Sequence, residues 1–107
     1  MLPLEQHNVS IDLASVLDAS AVRDLHAEIE PLVAETTLLT LNAGAVERLG
    51  TQAVQLLVAT ARALEMNGGR LVIVNTTPTF REAYADLGLA ADLDARSPVH
   101  AEKDTDG

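Results

Sequence analysis

The stretch Leu38–Val74, LLTLNAGAVERLGTQAVQLLVATARALEMNGGRLVIV, decides the fold. Its opening, Thr37 to Leu41, is short, apolar and rich in threonine, as a strand would be. The segment Asn42–Gly50 then interrupts that pattern. From Thr51 to Asn67 the apolar residues Val54, Leu57, Val58, Ala61 and Leu64 recur at helical spacing. Gly68-Gly69 stops this helix, because a glycine past the last turn takes the left-handed conformation without a Cβ penalty. Arg70 leads into Leu71–Val74, an uninterrupted and mostly β-branched run of the kind buried on both faces of a sheet. Strand, crossover helix and strand make a parallel, right-handed βαβ unit. Leu71–Val74 is therefore expected as an internal strand with Leu38–Leu41 beside it. At the hinge of the unit, Gly50-Thr51 presents a hydroxyl where the chain enters the positive end of a helix.

Upstream, Val9, Ile11 and Leu13 alternate with Ser10, Asp12 and Ala14, the period of a half-buried strand. Leu2–Gln6 reads as a strand stub that Pro3 confines to an edge. Asp18 or Ser20 caps a helix whose apolar stripe is Val22, Leu25, Ile29, Leu32 and Val33. Pro31 distorts its last turn, near Val33. Downstream, Thr77 is an N-cap followed by Pro78 at the first helical position. Phe80, Ala83, Tyr84 and Leu87 form an apolar stripe, and Gly88-Leu89 closes the helix. From Ala90 onward too few large apolar side chains remain to order the chain. The reading is an α/β fold of order β(β)αβαβα, with a four-stranded, mixed and mostly parallel sheet. One domain spans 1–93, followed by an acidic, flexible tail over 94–107.

The composition excludes several function classes. The 107 residues fit one core, and with aromatics at 2% that core must be aliphatic. Sixteen Asp+Glu against seven Lys+Arg give a net charge of −9, which argues against nucleic-acid or anionic-membrane partners. The absence of cysteine removes disulfides, thiol catalysis and thiolate metal sites. No signal peptide and no membrane-spanning run are visible, so a cytoplasmic location is expected. His7, His26 and His100 fall in three separate elements without a ligand-spaced carboxylate, so no metal and no cofactor are expected. No Gly-x-Ser-x-Gly elbow is present, and Gly68-Gly69 follows a helix instead of opening one, which makes it a helix stop and not a phosphate loop. The chain reads as a non-enzymatic protein.

Thr51 has two readings. In one it is an N-cap, bonding a free amide of the first turn and contributing about 1 kcal/mol. In the other it is a phosphoacceptor, where phosphate meets unpaired amides and the helix dipole. Polar, uncharged Gln52 and Gln55 beside it serve no core, so Gly50, Thr51, Gln52 and Gln55 together form the candidate partner-binding surface.

The run Leu38–Ala43, then Leu49–Leu57, Gly68–Asn75, Pro78, Phe80–Ala83 and Leu87–Leu89, resembles a STAS domain, the family of the bacterial anti-sigma factor antagonists. Asp18-Ala-Ser-Ala at the first helix fits the same pattern. The resemblance covers roughly Val9 to Leu93 and implies a signalling domain that switches partners by binding an anti-sigma factor or serine kinase-like protein. It also implies that phosphate is accepted by the second hydroxyl residue of an Asp-Ser-Ser/Thr-Gly-like motif. On this chain the motif falls at Leu49, Gly50, Thr51 and Gln52, and only the acceptor, Thr51, carries matching chemistry. A member that binds partners without being phosphorylated is the other implication. Similar domains serve in chemotaxis-type signalling clusters, and others as small cytosolic subunits of phospholipid ABC-transporter complexes.

Overall fold

The computed structural model describes residues 8–97. The strand stub expected at Leu2–Gln6, His7, His100 and the expected tail from 98 onward lie outside them. Among the described residues five strands and four α-helices follow in the order β1 (Asn8–Asp12), β2 (Val16–Leu17), α1 (Ala19–Ile29), β3 (Leu38–Asn42), β4 (Arg48–Leu49), α2 (Thr51–Met66), β5 (Arg70–Val74), α3 (Pro78–Asp86) and α4 (Ala90–Arg96). The class is α/β. Among the described strands every pairing is parallel, in a three-stranded sheet ordered β1-β3-β5 and a two-stranded pair of β2 with β4. The three-stranded sheet holds three of the four strands expected, and the stub expected as the fourth lies outside the described residues; the β2–β4 pair was not expected, since two-residue strands are too short to carry a period.

A correction concerns which of the described strands is internal. β3 lies between β1 and β5, so Leu38–Leu41 is central and Leu71–Val74 is at the edge of this sheet. The register aligns Val9 with Leu39 and Leu71, and Ile11 with Leu41 and Ile73, and these two rows point at the helices. Leu39, Leu41 and Ile73 are wholly buried. On the opposite face Thr40, Val72 and Val74 are only half-buried. The unbroken apolar run of β5 therefore reflects a half-covered outer face and not burial on both sides.

Capping chemistry fixes the helix ends. The Asp18 carboxylate accepts from the Ala21 amide at 2.9 Å and caps α1. Pro31 ends the regular helix at Ile29, and a 3-10 turn, Glu30–Leu32, carries the chain on. At the end of α2, Gly68 (φ +86°) sends its amide to the Glu65 carbonyl, while Gly69 reaches the Leu64 carbonyl at 2.7 Å. The second glycine is required by space: a Cβ at Gly69 would lie 2.7 Å from the Thr36 carbonyl oxygen. Thr77 caps α3 as expected, accepting from the Phe80 amide at 3.1 Å. Its hydroxyl also donates to the Val46 carbonyl at 3.0 Å, tying α3 to the loop that delivers β4.

The reading that nothing past Ala90 orders itself is corrected by α4. Leu93 joins the core at 2% exposure, and Arg96 clamps the helix from outside. The Arg96 guanidinium donates to both Asp92 oxygens (3.2 and 3.3 Å) and to Glu65 of α2 at 2.6 Å. Burial pushes its pKa down, but the bonds to Asp92 and Glu65 outweigh that and hold it above the usual value. The helix thus runs past the boundary expected at 93. Beneath it, Phe80 and Tyr84 pack in the core with ring centroids 5.5 Å apart.

Candidate partner-docking site

β4 pairs with β2 through Val16–Arg48 and Leu17–Leu49 and so fixes where α2 begins. Gly50 is the N-cap, with extended backbone (φ −108°, ψ −176°) and no side chain to offer the first turn. Ala53 is the first amide to turn back, reaching the Gly50 carbonyl at 3.1 Å. The N-cap reading of Thr51 is therefore corrected: it is the first helical residue, one position too late to cap. Among the described residues its hydroxyl has no hydrogen-bond partner. Gly50, Thr51, Gln52 and Gln55 are all exposed, whereas Ala53 and Val54 between them are buried.

The four residues share one helix end but do not line one depression. Gly50 lines a shallow one with Val16, Leu17, Asp18, Arg48 and Leu49. Gln52 and Gln55 line a larger open groove of ≈ 500 Å³, opposite Val22, Arg23 and His26 of α1. Leu56 and His26 continue from it into a further depression that reaches Val33, just past the 3-10 turn after α1, and Ala63 on α2. Half-buried Val22, Val33 and Leu56 give this surface an apolar floor. The hydroxyl of Thr60 on that floor is already spent on the Leu56 carbonyl at 2.8 Å. The α1 half of the groove was not singled out in the sequence. Its signal is there in residues 19, 22, 23, 26 and 29, a helical stripe of α1 that is only partly needed by the core.

A second polar cluster sits at the carboxyl ends of the strands, where open α/β sheets commonly hold ligands. Asn42 donates to Asp12 (3.2 Å) and accepts, on one oxygen, from Asn75 (3.1 Å) and the Gly44 amide (3.0 Å). Asn75 holds a left-handed φ of 58°. These bonds tie the loops after β1, β3 and β5 to one another. Among the described residues no three His, Cys, Asp or Glu side chains are grouped to hold a metal ion, and no helix is long and apolar enough to cross a membrane.

No curated protein matches the sequence. Among solved structures, the anti-sigma factor antagonist SpoIIAA in its unphosphorylated form is 27% identical, over 80% of this chain and 76% of that one, with a TM-score of 0.71. The Bacillus cell fate determinant SpoIIAA in its phosphorylated form is 26% identical over 91% and 84%, with a TM-score of 0.70. The STAS domain of a SulP transporter from Vibrio cholerae shares the fold alone, at 13% identity, 91% and 75% coverage and a TM-score of 0.63. A family model described as "Mlab, STAS domain" matches residues 1–94. With the fold, the helix-stop glycines and the exposed start of α2 in their expected places, the chain belongs to the STAS domain family.

Proposed function

We propose that the chain is a non-enzymatic, cytoplasmic regulator of the anti-sigma factor antagonist type, which acts by docking the Gly50–Gln55 surface on a kinase-like partner. The observation that carries this reading is the exposed Thr51 on an uncapped helix start, since its hydroxyl contributes nothing to the fold. Support comes from the likeness to SpoIIAA, whose structures include a phosphorylated form. A phosphate on Thr51 would add about −1.5 to −2 charges at the positive end of α2. The fold accommodates that charge, and a docked partner would have to. The groove beside it suits docking better than catalysis, because its polar groups stand on an open, apolar-floored surface.

A second reading, the small cytosolic STAS subunit of a phospholipid ABC-transporter complex, is favoured by the family model, whose description is "Mlab, STAS domain". Recovery of the partner on the tagged chain at native expression separates the two: a kinase-like protein supports the first, a transporter ATPase the second. Titration calorimetry of the recovered partner then tests the surface. Thr51→Glu should weaken binding at least tenfold with an unchanged melt. Thr51→Ala should bind normally and, because Thr51 is not the cap, melt within about 0.5 kcal/mol of wild type. Wild-type binding by a normally folded Thr51→Glu variant would place the surface elsewhere.

A further inference from the structure

The last helix is attached by few contacts. Of the seven residues of α4, Ala90, Ala91, Asp94 and Ala95 are exposed, and what the segment buries is Leu93 and, just past the helix, Ser97. α4 touches α3 and β5, and it reaches α2 through the Arg96 guanidinium. An open depression of ≈ 330 Å³ lies between α3 and α4, lined by Pro78, Arg81 and Ala85 on one side and Ala90, Leu93 and Asp94 on the other. The two helices therefore do not close on each other along their length. We infer that α4 is a hinged latch, which swings away as one unit about Gly88 while the rest of the fold stays intact, and so uncovers the Phe80–Tyr84 layer.

The hinge, the catch and the floor of the latch each have a physical basis. Gly88 stands at φ +76° with nothing within 4 Å of where a Cβ would lie, a left-handed joint with free space around it. Beyond it, α4 starts at Leu89 without a side-chain cap, and a helix of seven residues does not hold itself once detached. The Arg96 fork takes both Asp92 oxygens, at 3.2 and 3.3 Å, and those bonds lie within α4 and leave with it. Its bond to Glu65, at 2.6 Å, crosses to α2 and breaks on opening. The Glu65 side chain is 47% exposed, so water competes for this catch. Under the latch, the buried Tyr84 hydroxyl has no hydrogen-bond partner among the described residues, and Asp92 and Arg96 are near enough to act on it. Opening hands that hydroxyl to water, which offsets part of the cost of exposing the two rings. A segment with so few buried contacts opens at a lower free energy than the whole domain.

Amide hydrogen exchange on the full chain, followed by NMR at rising urea below the unfolding transition, tests this. The Leu93 and Ser97 amides, bonded to the Leu89 and Asp94 carbonyls, report the latch, and the amides of the central strand β3 report global unfolding. After correction for intrinsic rates, the latch amides should exchange at least about tenfold faster than those of β3 and depend little on urea, because opening exposes little surface. Glu65→Gln removes a contact absent from both the opened and the unfolded chain, so it should speed both sets by the same factor, up to about fivefold. Ile29→Val trims a buried side chain of α1 that stays packed when the latch opens. It should speed β3 about fivefold and leave Leu93 and Ser97 unchanged. Tyr84→Phe should slow both sets about fivefold, since the hydroxyl is solvated in either open form. Latch amides that share the rate and urea slope of β3, or that quicken with Ile29→Val, would mean that α4 leaves only with the whole fold. Indifference to Glu65→Gln or to Tyr84→Phe would mean that the helix frays without releasing its catch or uncovering its floor. Each of these results overturns the inference.

Discussion

Tyr84 is the residue that fits its surroundings least well. Its ring is wholly buried against Phe80, yet its hydroxyl finds no hydrogen-bond partner among the described residues. A buried hydroxyl without a partner costs about 1–3 kcal/mol in desolvation. Tyr84→Phe keeps the ring packing and removes that cost, so it should raise stability by about 1 kcal/mol, or roughly 4–8 °C in a domain of this size. A lower melt in the variant would show that the hydroxyl is satisfied in solution. The same site carries a pH signature. Burial, followed by the negative charge of Asp92, pushes the phenol well above its ordinary 10.0, against the smaller pull of Arg96. The unfolded chain releases this proton near pH 10, and the folded chain only well above it. Tyr84 thus leaves stability untouched below pH 10 and removes it as the pH rises further, by about 1.4 kcal/mol per unit. Alkaline denaturant titrations should show this slope in wild type and lack it in Tyr84→Phe. The chain has one tyrosine, so tyrosinate absorbance reports the group directly.

Among the elements, α4 separates what a sequence shows from what only packing shows. α2 and α3 announce themselves, because a period of apolar residues runs between a recognisable start and a glycine stop. α4 has seven residues, no side-chain N-cap and one core residue, Leu93. A helix that short does not form alone, and what orders it is contact with α3 and the reach of Arg96 to Glu65, thirty-one residues away. No local pattern encodes such a pairing. The site divides in the same way. Thr51, Gln52 and Gln55 were legible as polar residues at a helix start. The α1 wall was not, because Val22 reads equally well as core and Arg23 as an outward charge. Even the role of Thr51 needed coordinates, since capping turns on one residue of register. If Arg96 holds α4 down, Arg96→Ala should cost about 1–2 kcal/mol, by removing two ion pairs from a side chain only 13% exposed. Thermal melts of Arg96→Ala and of a chain ending at Leu93 should fall together by several degrees. Unchanged melts would mean that Leu93 suffices.

At the scale of the whole molecule the sheet order was illegible for a comparable reason. β5 carries the most apolar strand, yet β3, with Thr40 and Asn42, is central, because both faces of a strand and not its edges set its composition. Charge is the other global quantity, and it acts on folding. Sixteen acidic residues against seven basic ones leave a surplus that repels itself in the folded state, and the only described ion pairs gather at Arg96. Raising ionic strength from about 0.01 to 0.15 M shortens the screening length from roughly 30 to 8 Å. That relieves the self-repulsion, so the melting temperature should rise with salt. Melts across one salt series read that slope. A melting temperature that falls with salt would mean that favourable charge pairs outweigh the surplus.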